Sequence, residues 1–277
     1  MIGECGGRII GVMAFVQDRC ICLRKVEYSE TSQILTLFGR KHGVVRVIAR
    51  GAHRKTKAGA SQFGGGVDLL DVGEAVFTDR PEKEMATLTE WELREGHLQM
   101  RKSLRGLYLG FYAAELVSLL IEEHDPHPEL FGRLESTLLE LGTPRVEQTF
   151  VAFEMDLLRE TGYLPELGAC VSCGGPVGGT GTVSFVPARG GMVCRNCEAE
   201  FPHRAAIDGR LLAVLQYVMK VNGQESRRLP GLTRHQTDPI NRVLADHVEH
   251  TLGRRLRTRK FVEGARTVRT PGQSKVP

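Results

Sequence analysis

The chain has 277 residues, of which 41% are hydrophobic and 25% charged, with a formal net charge of +4. That composition excludes a collagen-like, fully disordered or membrane-embedded protein, and the length is enough for one large or several small cores. No run approaches the ~18–20 apolar residues of a membrane span, so no membrane partner is expected. Charge is uneven: residues 1–86 hold 13 Lys and Arg against 10 acids, residues 87–165 hold 7 against 14, and residues 166–277 hold 17 against 9. Two basic ends around an acidic middle point to contact with a polyanion. Seven cysteines, an odd number in a large chain, fit a reducing cytosol rather than a disulfide scaffold.

Residues 1–18 read as a leader. Ile9–Val16 is apolar, but no A-x-A cleavage pattern follows and acidic Glu4 precedes it, which argues against a signal peptide. Five strand-like runs follow: Cys20–Val26, Ser32–Phe38, Gly43–Arg50, Val67–Phe77 and Met85–Trp91. Their connectors carry turn residues, and the longest, Gly51–Gly66, is polar and glycine-rich. Five strands in so short a span predict a small barrel, either an OB-fold or an SH3-like one. Cys20 and Cys22 alternate with Ile21 and Leu23 and read as small buried hydrophobes.

Arg40–Lys57 concentrates seven Lys or Arg and two His with no acid. Such a run is often only a solvated face. On a barrel strand and the loop leaving it, the same run suits a phosphate backbone, because each cation that neutralises a phosphate releases counterions. The predicted DNA contacts are Arg24, Lys25, Arg40, Lys41, Arg46, Arg50, Arg54, Lys55 and Lys57, with the C-terminal run Arg254, Arg255, Arg257, Arg259, Lys260, Arg266 and Arg269, opposed only by Glu263, as a second source. Aromatic residues are few, and those of the barrel read mostly as core, so backbone-dominated binding is expected.

Beyond Trp91 the apolar period lengthens to that of a helix. Leu104–Tyr108 and Phe111–Ile121 form one stripe. A second helix starts at His127-Pro128 and closes at Gly142, and a third opens at Thr143-Pro144 and closes at Gly162. The acidic turn Glu122–Glu129, with two prolines, reads as a loop between helices rather than a metal site. Leu164–Phe201 is glycine-rich and irregular. Helices resume at Arg210–Val221 and at Pro239–Leu252 behind an Asp238 cap, and Glu263–Pro277 lacks periodicity.

Within the irregular segment lie Cys170-Val-Ser-Cys173 and Cys194-Arg-Asn-Cys197, with twenty residues between the pairs. Each two-residue gap turns both thiolates toward one point, and two such knuckles complete a tetrahedron around Zn²⁺. Four sulfurs leave no open position, so the predicted metal is structural, one Zn²⁺ per chain. No P-loop, G-x-S-x-G or H-E-x-x-H motif occurs, and the carboxylates around Trp91 have no partner base nearby. No enzyme is expected.

Cys22–Arg54, Leu88–Glu90, Tyr112–Leu116, Pro128–Phe131, Glu160-Thr-Gly-Tyr-Leu-Pro165, the two cysteine pairs, Gly190–Cys194 and Arg257–Phe261 together resemble the RecO family of bacterial recombination mediators, in the same order along the chain. The resemblance implies a multidomain α+β protein: an OB-fold barrel (19–91), an α-helical domain (92–163 and 202–262) and an inserted four-cysteine zinc module (164–201); the 1–18 leader and an expected disordered basic tail (263–277) fall outside it. It implies binding of single- and double-stranded DNA, annealing of complementary strands, partnership with RecR and single-stranded-DNA-binding protein, and help in loading RecA, in the cytoplasm at the nucleoid. The alternative left open by the residues alone is an RNA- or ribosome-associated OB-fold and zinc-ribbon protein; a nuclease with a dispersed site is a third.

Overall fold

The computed structural model describes residues 14–52, 63, 66–79, 85–221 and 229–263. It divides into two compact units, Met1–His97 with Val117–Glu135, and Leu98–Leu116 with Ser136–Pro277. The first is built on strands β1 (Ala14–Ser29), β2 (Ser32–Gly39), β3 (Gly43–Ala49), β4 (Val72–Asp79) and β5 (Ala86–Glu95). They close into a barrel in the order β1-β2-β3-β5-β4, with β3 parallel to β5 and every other pair antiparallel. This is the OB-type arrangement, which decides between the two barrels the sequence allowed.

Closure depends on β1. Its first half pairs with β4, from Ala14↔Asp79 to Ile21↔Val72, and its second half pairs with β2, from Cys20↔Gly39 to Ser29↔Ser32. Ala14–Asp18, read from sequence as leader, are therefore the opening residues of a barrel strand. Their pattern hid this because Asp18, though 2% exposed, is polar. Alternation along the strands sends Cys20, Cys22, Leu35, Leu37, Val45, Val47, Phe77, Leu88 and Trp91 into one apolar core. Trp91 lies flat against Gly73, where a Cβ would sit 2.6 Å from the indole.

On the barrel's outer surface the row Ile21, Phe38, Val44 is also buried. Residues 117–135 cover it: the Phe131 ring lies 5.7 Å from that of Phe38, and His124 donates its backbone N–H to the Val44 carbonyl at 2.9 Å. Gly43 is essential to this approach. Its φ is +65°, and a Cβ there would meet the Asp125 carbonyl oxygen at 2.2 Å.

The second unit is helical, with an inserted sheet. α1 (Leu98–Arg101) precedes α2 (Leu104–Leu120), α3 (Pro128–Glu140) and α4 (Val146–Glu160), and α5 (Gly209–Lys220), α6 (Arg234–Leu252) and α7 (Arg259–Val262) follow; α2 and α3 cross the boundary between the units. Leu130, Phe131, Leu134, Leu138 and Leu141 are buried as the helical period predicts, but Leu104 of the expected α2 stripe is 64% exposed. Tyr112, Leu116 and Leu120 of that stripe are buried, together with Leu109, Ala113 and Val117, which it did not include. α6 begins five residues before Pro239. Thr233 and Gln236 form a capping box, and Asp238 is no cap but an ion-pair partner of Arg105 and Arg234. The stretch expected to be irregular holds β6 (Thr182–Val186) and β7 (Gly191–Val193), and β8 (Ala205–Asp208), in the segment assigned to the helical domain, completes a three-stranded sheet in the order β7-β6-β8. Its strands are too short for periodicity to register.

Gly43→Ala is expected to destabilise the barrel unit by about 1–3 kcal/mol, through both the left-handed backbone and the Asp125 collision. Urea denaturation followed by Trp91 fluorescence checks this; an unchanged midpoint would contradict the packing described.

Candidate nucleic-acid interface and metal centre

The predicted cations do not form one cluster. Arg24 on β1 stands opposite Thr36 on β2, which stands opposite Arg46 on β3. Because Leu35, Leu37, Val45 and Val47 fill the core, Thr36 and Arg46 face outward, and both arginines are exposed. Neither forms an ion pair among the described residues, so two guanidiniums flank a hydroxyl on an open sheet face. Arg46 is thus mid-strand, whereas the sequence placed its charges mainly at strand ends.

Arg40 and Lys41 sit in the β2–β3 hairpin. Asp18 holds this turn: it accepts from the Lys41 N–H at 2.9 Å, the His42 N–H at 3.0 Å and His42 Nδ1 at 2.9 Å. Gly39 leaves the room, since a Cβ there would lie 2.4 Å from Asp18 Oδ2. Arg50 is exposed just beyond β3. Lys25 is engaged by acids, 3.1 Å from Asp68 and 3.6 Å from Glu27, which offsets its charge. Arg54, Lys55 and Lys57 lie outside the described residues.

The C-terminal basic run is less available than the sequence suggested. Arg259 is enclosed by Asp246 at 2.7 Å, Glu249 at 2.5 Å and Glu263 at 2.5 Å. Burial opposes its charge, and these acids more than offset that, raising its pKa above the ordinary value. Sequence reading counted only Glu263 against it, because Asp246 and Glu249 come from α6. Arg257 and Thr258 give their backbone N–H groups to Glu115, and Phe261 stacks on Tyr108 at 4.8 Å. The Arg257–Phe261 motif anchors α7.

Sequence reasoning missed Tyr28. Phe38, Phe63, Phe77 and Trp91 are core, but Tyr28 is 65% exposed. Its alternation with Val26 and Arg24 was the available signal.

The four cysteines converge as predicted. Their Sγ atoms all lie within 4.8 Å of one another, and Cys173 and Cys194 are 3.7 Å apart. A disulfide would need about 2.05 Å. A tetrahedron with Zn–S near 2.3 Å has edges of about 3.8 Å, so the spacing suits a metal. In the first knuckle Gly174 (φ +72°) gives its N–H to the Cys170 carbonyl at 2.8 Å; in the second, Cys197 and Glu198 do the same to Cys194 at 3.1 and 3.0 Å. The Cys194 N–H reaches Cys170 Sγ at 3.3 Å and links the two turns. Desolvation raises the Cys170 pKa, but backbone N–H groups of Cys194, Cys173 and Ser172 prevail and draw it down to about 6. Cys197 goes the other way, to about 12: a Ser172 contact lowers it, but the neighbouring thiols Cys194 and Cys173 prevail. Sulfurs this close resist sharing negative charge, which is the condition a divalent cation relieves.

Family models described as Recombination protein O N terminal and Recombination protein O C terminal match residues 13–97 and 101–260. The chain belongs to the RecO family. Among its relatives, the DNA repair protein RecO of Anaeromyxobacter sp. (strain Fw109-5) is 34% identical over 249 residues, covering 88% of this chain and 93% of the relative. That of Rhodopirellula baltica is 36% identical over 185 residues, 66% and 67% of the two chains. That of Moorella thermoacetica is 27% identical over 261 residues, 94% and 95%. The RecO motif Glu160–Pro165 has a local task here. Gly162 (φ +76°) ends α4, and the Tyr163 carbonyl then meets His247 Nε2 at 2.7 Å. The His247 ring stands edge-on to Phe185 at 5.9 Å, so α6, this motif and the cysteine module meet at one imidazole.

His247 supplies a pH test. Burial pushes its pKa below the ordinary 6.5; the Tyr163 carbonyl opposes this and His250 adds to it. The folded state therefore favours the neutral ring. Its stability contribution is complete above pH 6.5 and is lost as pH falls through the lowered folded value. The stability advantage of the wild type over His247→Gln should shrink as denaturation midpoints are measured from pH 7.5 down to 5.

Proposed function

We propose that this chain is a recombination mediator that binds DNA through its barrel and anneals complementary strands without catalysis. Membership of the RecO family supports a role in DNA repair and recombination, and its relatives are DNA repair proteins. The observation that carries the reading is the Arg24–Thr36–Arg46 row, with Arg40, Lys41 and Arg50 also exposed, on an OB-type barrel. Unpaired cations on an open face bind phosphates irrespective of base sequence and screen the repulsion between two strands. In the same reading the chain acts in the cytoplasm at the nucleoid, with RecR and single-stranded-DNA-binding protein, to help load RecA. The barrel contacts DNA. The 164–201 module holds one structural Zn²⁺ on Cys170, Cys173, Cys194 and Cys197, which supplies a cross-link and no reaction.

The deciding experiment is annealing of complementary strands coated with single-stranded-DNA-binding protein. Acceleration without cleavage supports the proposal. No acceleration, or a strong preference for RNA, defeats it. Replacing Arg24, Arg46 and Arg50 together by Ala should weaken DNA binding and flatten the log affinity against log salt slope by about two to three.

Native mass spectrometry of chelator-free protein should find one zinc per chain. Cys194→Ser should lose the metal and lower thermal stability while leaving DNA affinity nearly unchanged.

A further inference from the structure

The four sulfurs are alike as ligands but not in exposure. Cys170 is 3% and Cys197 9% exposed, whereas Cys194 is half-buried and Cys173 is exposed. Cys173 and Cys194 also touch, with their Sγ atoms 3.7 Å apart. A second approach from solvent reaches Cys194. A cleft of about 420 Å³ is lined by Thr182, Val183 and Ser184 of β6 and by Cys194, Arg195 and Asn196 of the second knuckle. Neither Cys170 nor Cys197 lines it. Cys20 and Cys22, in the barrel, are fully buried. A small polar oxidant therefore meets Cys173 and Cys194 before any other described thiol.

We propose that Cys173 and Cys194 form an oxidant-sensitive pair, and that a hydroperoxide releases the metal by joining these two sulfurs. The proposal rests on the reading of the four cysteines as a zinc centre. Bound to Zn²⁺, all four would be thiolates, so access selects among them. The Cys173 thiolate attacks one peroxide oxygen: an S–O bond forms, the O–O bond breaks and hydroxide leaves. The Cys194 thiolate then attacks the sulfenic sulfur: the S–S bond forms, the S–O bond breaks and a second hydroxide leaves. Two protons from solvent turn both into water. The two sulfurs lose two electrons, and the peroxide gains them. Two of the four ligands are then gone, too few to retain a structural metal. The bond runs across the two knuckles, not within either C-x-x-C, because each knuckle keeps one sulfur buried. It is reversible because the module has supports besides the metal. The Met192 N–H donates to the Glu166 carbonyl and the Val171 N–H to the Met192 carbonyl, both at 2.9 Å, and these hold the first knuckle on β7.

The test uses the full zinc-loaded chain, with hydrogen peroxide as oxidant. Native mass spectrometry measures zinc before oxidation, and a chromogenic chelator follows its release. Disulfides are mapped by peptide mass spectrometry after free thiols are alkylated. Peroxide should release the one zinc per chain and give a Cys173–Cys194 disulfide, with Cys170 and Cys197 recovered as free thiols. Reduction with added Zn²⁺ should restore one zinc. Cys173→His keeps a metal-binding nitrogen that cannot form a disulfide, and should hold zinc at peroxide concentrations that empty the wild type. A disulfide within either knuckle, zinc retained under peroxide, or a Cys173→His protein that empties as fast as the wild type overturns the proposal. If Cys173→His does not fold, the wild-type disulfide map still decides. A chain without zinc before oxidation defeats the reading of the metal centre and the proposal with it, whereas a zinc-bearing chain that oxidises elsewhere defeats the proposal alone.

Discussion

Everything presented by the barrel depends on one strand pairing on both of its edges. β1 joins β4 along its first half and β2 along its second, and only this double pairing closes the order β1-β2-β3-β5-β4. Closure fixes which side of each strand is inside. With the inside filled by Cys22, Leu35, Leu37, Val45 and Val47, the residues between them have no choice but the outer face. Arg24, Thr36 and Arg46 become one row by that constraint, and Val26, Ile34 and Ile48 the next. Asp18, on the same strand, secures the β2–β3 turn with Arg40 and Lys41 in it. The strand that closes the barrel therefore also positions its charge.

The cysteine module obeys a different economy. Its strands are three to five residues long and its hydrophobic contents are small, so four thiols brought within 4.8 Å supply the organising point. Backbone N–H groups draw the Cys170 thiol down, while the neighbouring thiols Cys194 and Cys173 push Cys197 up. Local turn bonds set each knuckle, and the Cys194 N–H to Cys170 Sγ contact joins them. His247, Tyr163 and Phe185 then tie the module to α6 and to the end of α4.

The helical unit spends much of its charge internally. Arg105 makes a bidentate pair with Glu147, both contacts at 2.8 Å, and Thr237 donates to the same carboxylate. Arg259 is surrounded by three acids. Glu154 is fully buried, and desolvation pushes its pKa up to about 8 although Tyr112 donates to it, so it is held largely neutral at pH 7. Basic residues in this unit are poor guides to a polyanion site, because several are satisfied by acids far away in sequence.

The sequence by itself determined whatever is set by near neighbours. Two C-x-x-C turns specify four convergent sulfurs, alternation specifies which strand residues are core, and Leu130, Phe131, Leu134 and Leu138 follow from a helical period. Tertiary structure decided what depends on partners distant in the chain. Ala14–Asp18 are strand because β4 pairs with them. Lys25 and Arg259 are neutralised because Asp68, and Asp246 with Glu249, fold onto them. α2 keeps Tyr112, Leu116 and Leu120 inside as its period predicts, but leaves Leu104 exposed. Phe15 and Tyr28 are exposed while Phe38, Phe63, Phe77 and Trp91 are buried. Spacing along a chain encodes local geometry, but exposure and charge compensation arise only when separate segments meet, which is why the four converging cysteines were legible and the outer face of the barrel was not.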